Sequence, residues 1–369
     1  MSVMHPPRRG AAVLAAAAFV ASALVVLPSP SSGSAAVGDA LGADHYLVSR
    51  ANAGTSDQSE VSDDGQHVAF RSTEALVPED DNGVADVYLA TAEQGSADPF
   101  SGTPMLVSRP GGTAGVANGP SSEPALSADG RYIVFTSTAT NLVAGGSTSG
   151  RRELYIRDTV LGTTVRIQDA AEPDDDSWQA DISADGSRLV FLSEAANLPG
   201  ADADHVADVF VADRDDGSGG ISTTAFAIRG ASGGAFDTGP FNGPVISGNG
   251  AYVVYGIAGT MASGAPADAL YRTAFDSLET ESVGSSFGLA AIRDAAVDAT
   301  GSLIAAVAIR SCGEAPMVVA INWAFGGVAE AVAVGSGHDP VVYREAGDIT
   351  DVAISSDGSR VAWASTQPV

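Results

Sequence analysis

A short turn written six times constrains this chain more than any other feature. Ser62-Asp63-Asp64-Gly65 recurs as Ser127-Ala128-Asp129-Gly130 and Ser183-Ala184-Asp185-Gly186. It fades to Ser247-Gly248-Asn249-Gly250 and Asp298-Ala299-Thr300-Gly301, then returns as Ser355-Ser356-Asp357-Gly358. From glycine to glycine the spacings are 65, 56, 64, 51 and 57 residues. Self-similarity at a nearly fixed period marks a repeat architecture, with the length variation falling in loops.

Each turn is flanked by strand-like segments. Short apolar stretches precede it (Pro124-Ala125-Leu126, Ala180-Asp181-Ile182, Val352-Ala353-Ile354), and alternating runs follow it (Tyr132-Ile133-Val134-Phe135, Leu189-Val190-Phe191, Val361-Ala362-Trp363). An Asp-Gly or Asn-Gly pair between two such runs signals a tight hairpin, because glycine accepts a positive φ without steric cost. A third strand reads as Asp86-Val87-Tyr88-Leu89 and its counterparts, a fourth as Met105-Leu106-Val107-Ser108 and its counterparts. Four antiparallel strands repeated in this way make one blade of a β-propeller. No long stretch carries the 3.6-residue apolar period of an amphipathic helix.

Composition excludes several functions. The 18 basic residues are all Arg, against 45 Asp+Glu and a net charge of -27. Without lysine there is no Schiff base and no P-loop, and an acidic surface opposes binding to a phosphate backbone, so no nucleic-acid partner is expected. The single cysteine, Cys312, cannot build a disulfide framework. Arg8 and Arg9, the apolar run from Gly10 to Leu27 and the small residues Ser34-Ala35-Ala36 describe a secretory signal peptide cleaved after Ala36. A retained membrane anchor is the alternative. The expected organisation is therefore a signal over 1–36 and one propeller domain over 37–369, secreted or held at the cell envelope, and monomeric.

The segment Tyr46-Leu47-Val48-Ser49-Arg50 copies the fourth strand Leu106-Val107-Ser108-Arg109, yet precedes the first complete repeat. It reads as the outer strand of the last blade, closing the ring and removing its exposed edges. The last unit shows no third strand before Val369, which leaves open a three-stranded final blade and a truncated one.

The Ser-x-Asp-Gly turn, the stretches Phe135 to Leu142 and Phe191 to Leu198, and the Asp-Val-Tyr strand resemble the TolB-like, WD-repeat-like β-propeller family. That resemblance covers residues 45 to 366 and implies a six-bladed, all-β propeller of four-stranded antiparallel blades. Members of that family include binding and scaffolding proteins of the envelope and propeller modules attached to serine peptidases, and the resemblance carries over a fold and no catalytic residue; export without disulfides points to a bacterial secreted protein.

Candidate chemistry is sparse. Two Gly-x-Ser-x-Gly strings, Gly230 to Gly234 and Gly284 to Gly288, sit in Gly/Ser-rich connections rather than on a strand-turn-helix elbow. The histidines show no ligand spacing. Asp174-Asp175-Asp176 reads as a solvated loop. The most specific acidic pattern is shared by Asp80, Asn82 and Asp86 and by Asp202, Asp204 and Asp208. Oxygens at such short separations can fold around a hard cation such as Ca²⁺. The alternative is that Asp86 and Asp208 open a strand and bond loop N–H groups. The function expected is non-catalytic: loops at the channel mouth recognise a peptide, glycan or partner protein, the blades acting as rigid support. An enzyme acting on an extracellular polymer is the second expectation.

Overall fold

The computed structural model describes residues 55–365 except 97, 113–114, 168–171, 200–204, 215–225, 228–242, 258–268, 284–288, 311–316, 325–327, 334–348 and 360. The predicted signal, the closing strand Tyr46 to Arg50, both Gly-x-Ser-x-Gly strings and Cys312 lie outside the described residues.

Every regular element among the described residues is a strand, and no described helix is long and apolar enough to cross a membrane. The first sheet holds β1 (Ser56–Val61), β2 (His67–Ser72), β3 (Asp86–Thr91) and β4 (Met105–Leu106) in sequence order. The second holds β5 (Ser121–Leu126), β6 (Tyr132–Ser137), β7 (Glu153–Asp158) and β8 (Thr163–Arg166). The third holds β9 (Ser177–Ile182), β10 (Arg188–Ser193), β11 (Asp208–Asp213) and β12 (Phe226–Ala227). The fourth holds β13 (Val245–Ile246), β14 (Tyr252–Ile257), β15 (Ala269–Ala274) and β16 (Thr280–Val283). The fifth holds β17 (Leu289–Val297), β18 (Leu303–Arg310), β19 (Met317–Ala324) and β20 (Val328–Ala333), and β21 (Ile349–Ile354) pairs with β22 (Val361–Ser365) in a two-stranded sheet. All pairings are antiparallel, the up-and-down order of propeller blades.

The repeated turn joins the first two strands of each sheet, and its side chains build it. In the second sheet the Ser127 hydroxyl donates to Asp129 Oδ1 at 2.7 Å, the Arg131 N–H donates to the same oxygen at 3.0 Å, and the Tyr132 N–H donates to Ser127 Oγ at 3.0 Å. Asn249 performs the aspartate's part in the fourth sheet, accepting from the Ser247 hydroxyl at 2.8 Å and the Ala251 N–H at 2.9 Å. In the fifth sheet Asp298 takes the serine's place and accepts the Ser302 and Leu303 N–H groups.

One aromatic pair recurs across the second and third strands: Phe70 with Tyr88, Phe135 with Tyr155, Phe191 with Phe210 and Tyr255 with Tyr271, stacked with centroids 5.6 to 6.0 Å apart. The fifth sheet substitutes Ala306 opposite Val319. Successive sheets pack face to face. Phe135 and Ile133 meet Val87 and Leu89 of the preceding sheet, Phe191 and Leu189 meet Val134 and Leu154, Tyr255 and Val253 meet Val190 and Val209, and Ile304 meets Val254 and Leu270.

Neighbouring turns are also tied directly. The Ala128 N–H donates to the Ala184 carbonyl, Ala184 to Gly248, Asn249 to Ala299 and Ala299 to Ser356, at 2.8 to 2.9 Å. Arginine stacks beside this row, with the Arg214 guanidinium 3.8 Å above the Tyr132 ring and Arg272 4.3 Å above Tyr252. A guanidinium held over an aromatic ring in this way is a cation–π contact, which arginine makes more often than lysine.

Candidate binding channel

The first strands of the six described sheets, β1, β5, β9, β13, β17 and β21, line one cavity of about 530 Å³. They run in the same sense, so residues at equal distance before the repeated turn lie in one layer of this channel.

The layer four positions before the turn serine is irregular. Gln58 (φ 48°), Glu123 (φ 53°), Gln179 (φ 48°) and Gly243 (φ 88°) all adopt left-handed backbone conformations. In the first three sheets the register against the second strand slips here, between Asp57 and Glu60, Ser122 and Ala125, and Trp178 and Asp181. Each is a β-bulge, a device that re-aims a side chain. The bulges are linked from sheet to sheet. The Glu123 N–H donates to Gln58 Oε1 and the Gln179 N–H donates to Glu123 Oε2, each at 3.1 Å. The Thr136 hydroxyl donates to the same glutamate oxygen at 2.8 Å. A Cβ on Gly243 would stand 3.0 Å from Gln179 Cβ, so glycine continues the layer where no further side chain fits. Left-handed non-glycine residues cost about 1 kcal/mol or more each, and clusters of them mark functional sites.

Two positions before the turn lie Glu60 and Asp181. Asp181 accepts the Ile246 and Ile182 N–H groups at 2.8 Å, tying the third sheet to the fourth. Asp294 ties the fifth sheet to the sixth by accepting the Val352 N–H at 2.7 Å. Glu60 bonds the Leu126 backbone of the second sheet. Burial pushes the Glu60 carboxyl well above the ordinary range, and the nearby charges of Asp181 and Asp63 push it further. Asp181 is raised to about 6, again chiefly by burial. Both groups face the channel, yet protein surrounds them closely enough to strip most of their water.

The turn end of the channel is small and tight, with Ala128, Ala184, Gly248, Ala299 and Ser356 at equivalent positions and Asp63 in the first sheet. Among the described lining residues every ionisable one is an acid: Glu60, Asp63, Glu123, Asp181 and Asp294.

Among the described residues, none of the acids singled out as metal ligands lines the channel. Asp80, Asn82 and Asp86 gather at the start of β3, where the Asn82 amide donates to Asp86 Oδ2 at 2.6 Å. Asp208 opens β11 and is buried, while Asp202 and Asp204 lie outside the described residues. No group of three or more His, Cys, Asp or Glu side chains is set to hold a metal among the described residues. The run 174–176 works as a loop staple: Asp174 accepts the Ala196 N–H at 2.8 Å, Asp175 meets His205 at 3.2 Å and Asp176 meets Arg152 at 2.8 Å. The channel residues escaped the sequence reading, although aligning the six units on the turn serine places Gln58, Glu123 and Gln179 in one column and Glu60 and Asp181 in another.

Sheets packed face to face about a shared cavity define a β-propeller with an acidic channel. No protein-family model and no curated protein matches the chain. Among solved structures it is similar to TolB from Acinetobacter baumannii (15% identity, 80% of this chain and 57% of that one, TM-score 0.45). It is similar too to a putative TolB from Agrobacterium tumefaciens (16%, 85% and 91%, TM-score 0.46) and to the β-propeller domain of the Trilobed protease from Pyrococcus furiosus (11%, 85% and 78%, TM-score 0.49).

Proposed function

We propose that this chain is an exported binding propeller that receives a positively charged segment of a peptide or partner protein into its channel. The observation that carries the reading is the bulged layer. Three polar residues, Gln58, Glu123 and Gln179, share one depth and one strained conformation, and a fold keeps such strain where the aimed side chains are used. The acid-only lining supplies the charge complement, which steers a basic partner and repels an acidic one. In this reading the ring has six blades, is closed by Tyr46 to Arg50, and is monomeric.

Titration calorimetry on the folded chain with a short Arg-rich peptide and its Glu-rich counterpart tests the proposal. Micromolar binding of the basic peptide alone is expected, weakened at least tenfold in Glu60→Gln and Glu123→Gln. Equal affinity for both peptides, or indifference to both substitutions, would sink it.

A second reading is favoured by the Glu60 and Asp181 pair. A carboxyl that holds its proton more tightly than usual, beside a second carboxyl, is the equipment of an acid-base hydrolase. Release of reducing ends from an extracellular glycan, lost in Asp181→Asn, would select that reading over the first.

A further inference from the structure

Away from the channel, the loop after β2 and the first residues of β3 bury two carboxyl groups side by side. Asp86 has no exposed surface and Asp80 is 6% exposed. Only neutral donors among the described residues reach them: the Ser108 hydroxyl at 2.6 Å and the Asn82 amide at 2.6 Å on Asp86, and the Tyr88 hydroxyl on Asp80 Oδ2. Asp80 Oδ1 is buried with no hydrogen-bond partner. No arginine or histidine forms an ion pair with either acid among the described residues.

The second sheet shows the compensated form of the same place. Glu153 stands where Asp86 does, and Ser147, where the first sheet has Asp80, donates to it at 2.7 Å. Arg166 of β8 answers its charge at 3.4 Å. Register explains the difference: β8 sets Arg166 opposite Tyr155, whereas β4 sets Leu106 opposite Tyr88. The first sheet thus carries an acid where the second has Ser147, whose hydroxyl also lies 3.0 Å from Glu172, and it lacks the base. An unpaired buried carboxylate oxygen is costly, and the arrangement calls for a positive charge between the two groups.

We propose that Asp80 and Asp86 bind a hard divalent cation of the Ca²⁺ type, with Asp80 Oδ1 as the free anionic ligand. An all-oxygen donor set suits calcium. Asn82 acts as a positioning residue: its Oδ1 accepts the Val84 N–H at 2.8 Å while its amide group bonds Asp86 and the Ala117 carbonyl.

The test uses the full chain stripped with EDTA and then desalted. Tb³⁺ added to it should give emission sensitised through Tyr88, displaced by Ca²⁺, and Ca²⁺ alone should raise the melting temperature. Asp80→Asn and Asp80→Ser, the latter installing the second sheet's residue, should each weaken Ca²⁺ binding at least tenfold with the β circular dichroism spectrum kept. Asp81→Asn, at an exposed neighbour, should leave binding unchanged. Absence of Ca²⁺-displaceable emission, or its persistence in both Asp80 variants, overturns the site and assigns the charge balance to a proton.

Discussion

At Gly130 two demands meet. Its φ of 66° is left-handed, which costs a non-glycine residue about 1–2 kcal/mol. A Cβ there would also stand 2.4 Å from the His67 ring of the preceding sheet, and one on Gly186 2.4 Å from Tyr132. Gly130→Val is therefore expected to lose about 2–4 kcal/mol, the backbone cost plus overpacking, read as a shift of the denaturant midpoint. Asp129→Asn should stay within about 0.5 kcal/mol, since Asn249 already does that work; a large loss would show that the carboxylate charge matters. The channel acids give a pH prediction. A carboxyl with a raised folded pKa holds its proton more tightly when folded, so its contribution to stability falls as pH rises from about 4 through the folded value, about 6 for Asp181. Glu60→Gln should melt above the parent at pH 7.5 and level with it at pH 4. A difference independent of pH would contradict the raised carboxyl.

At the scale of the strand, short runs rich in β-branched and aromatic residues and the Ser-x-Asp-Gly turn make the hairpins legible, because residue type and an obligatory glycine are local properties; the middle strands β6, β7 and β10 are buried along nearly their whole length. The inner strands were seen short: Pro124-Ala125-Leu126 is the end of a strand that begins at Ser121. Proline and the bulge at Glu123 break the alternation by which a strand is recognised. The channel residues were hidden for a related reason. A bulge changes which way a side chain points without changing its residue type, and only the pairing of β5 with β6 reveals it. The calcium pattern was legible as spacing, but the distinction between the first and second sheets depends on Leu106 and Arg166 facing the third strand, a matter of register. Gln179→Gly should leave stability within about 1 kcal/mol, as relief of left-handed strain offsets the added freedom of the unfolded chain. A larger loss would mean that the Gln179 side chain props the fourth sheet.

For the whole molecule, charge dominates. At -27 the folded chain repels itself, and salt screens that repulsion. Raising NaCl from about 20 to about 500 mM should increase the melting temperature while slowing association with a basic peptide. A melting temperature that falls with salt would show that the ion pairs, such as Arg131 with Asp158, outweigh the net charge. The row of bonds between turns has a direction as well: Ala128, Ala184, Asn249 and Ala299 each give an N–H to the sheet that follows. On the ribosome each newly made sheet therefore waits for its successor before its turn is satisfied, and the structure grows by adding acceptors at its younger end. Nascent chains stalled after successive sheets should therefore show the Ala128 amide protected from exchange only once Ala184 has left the ribosome.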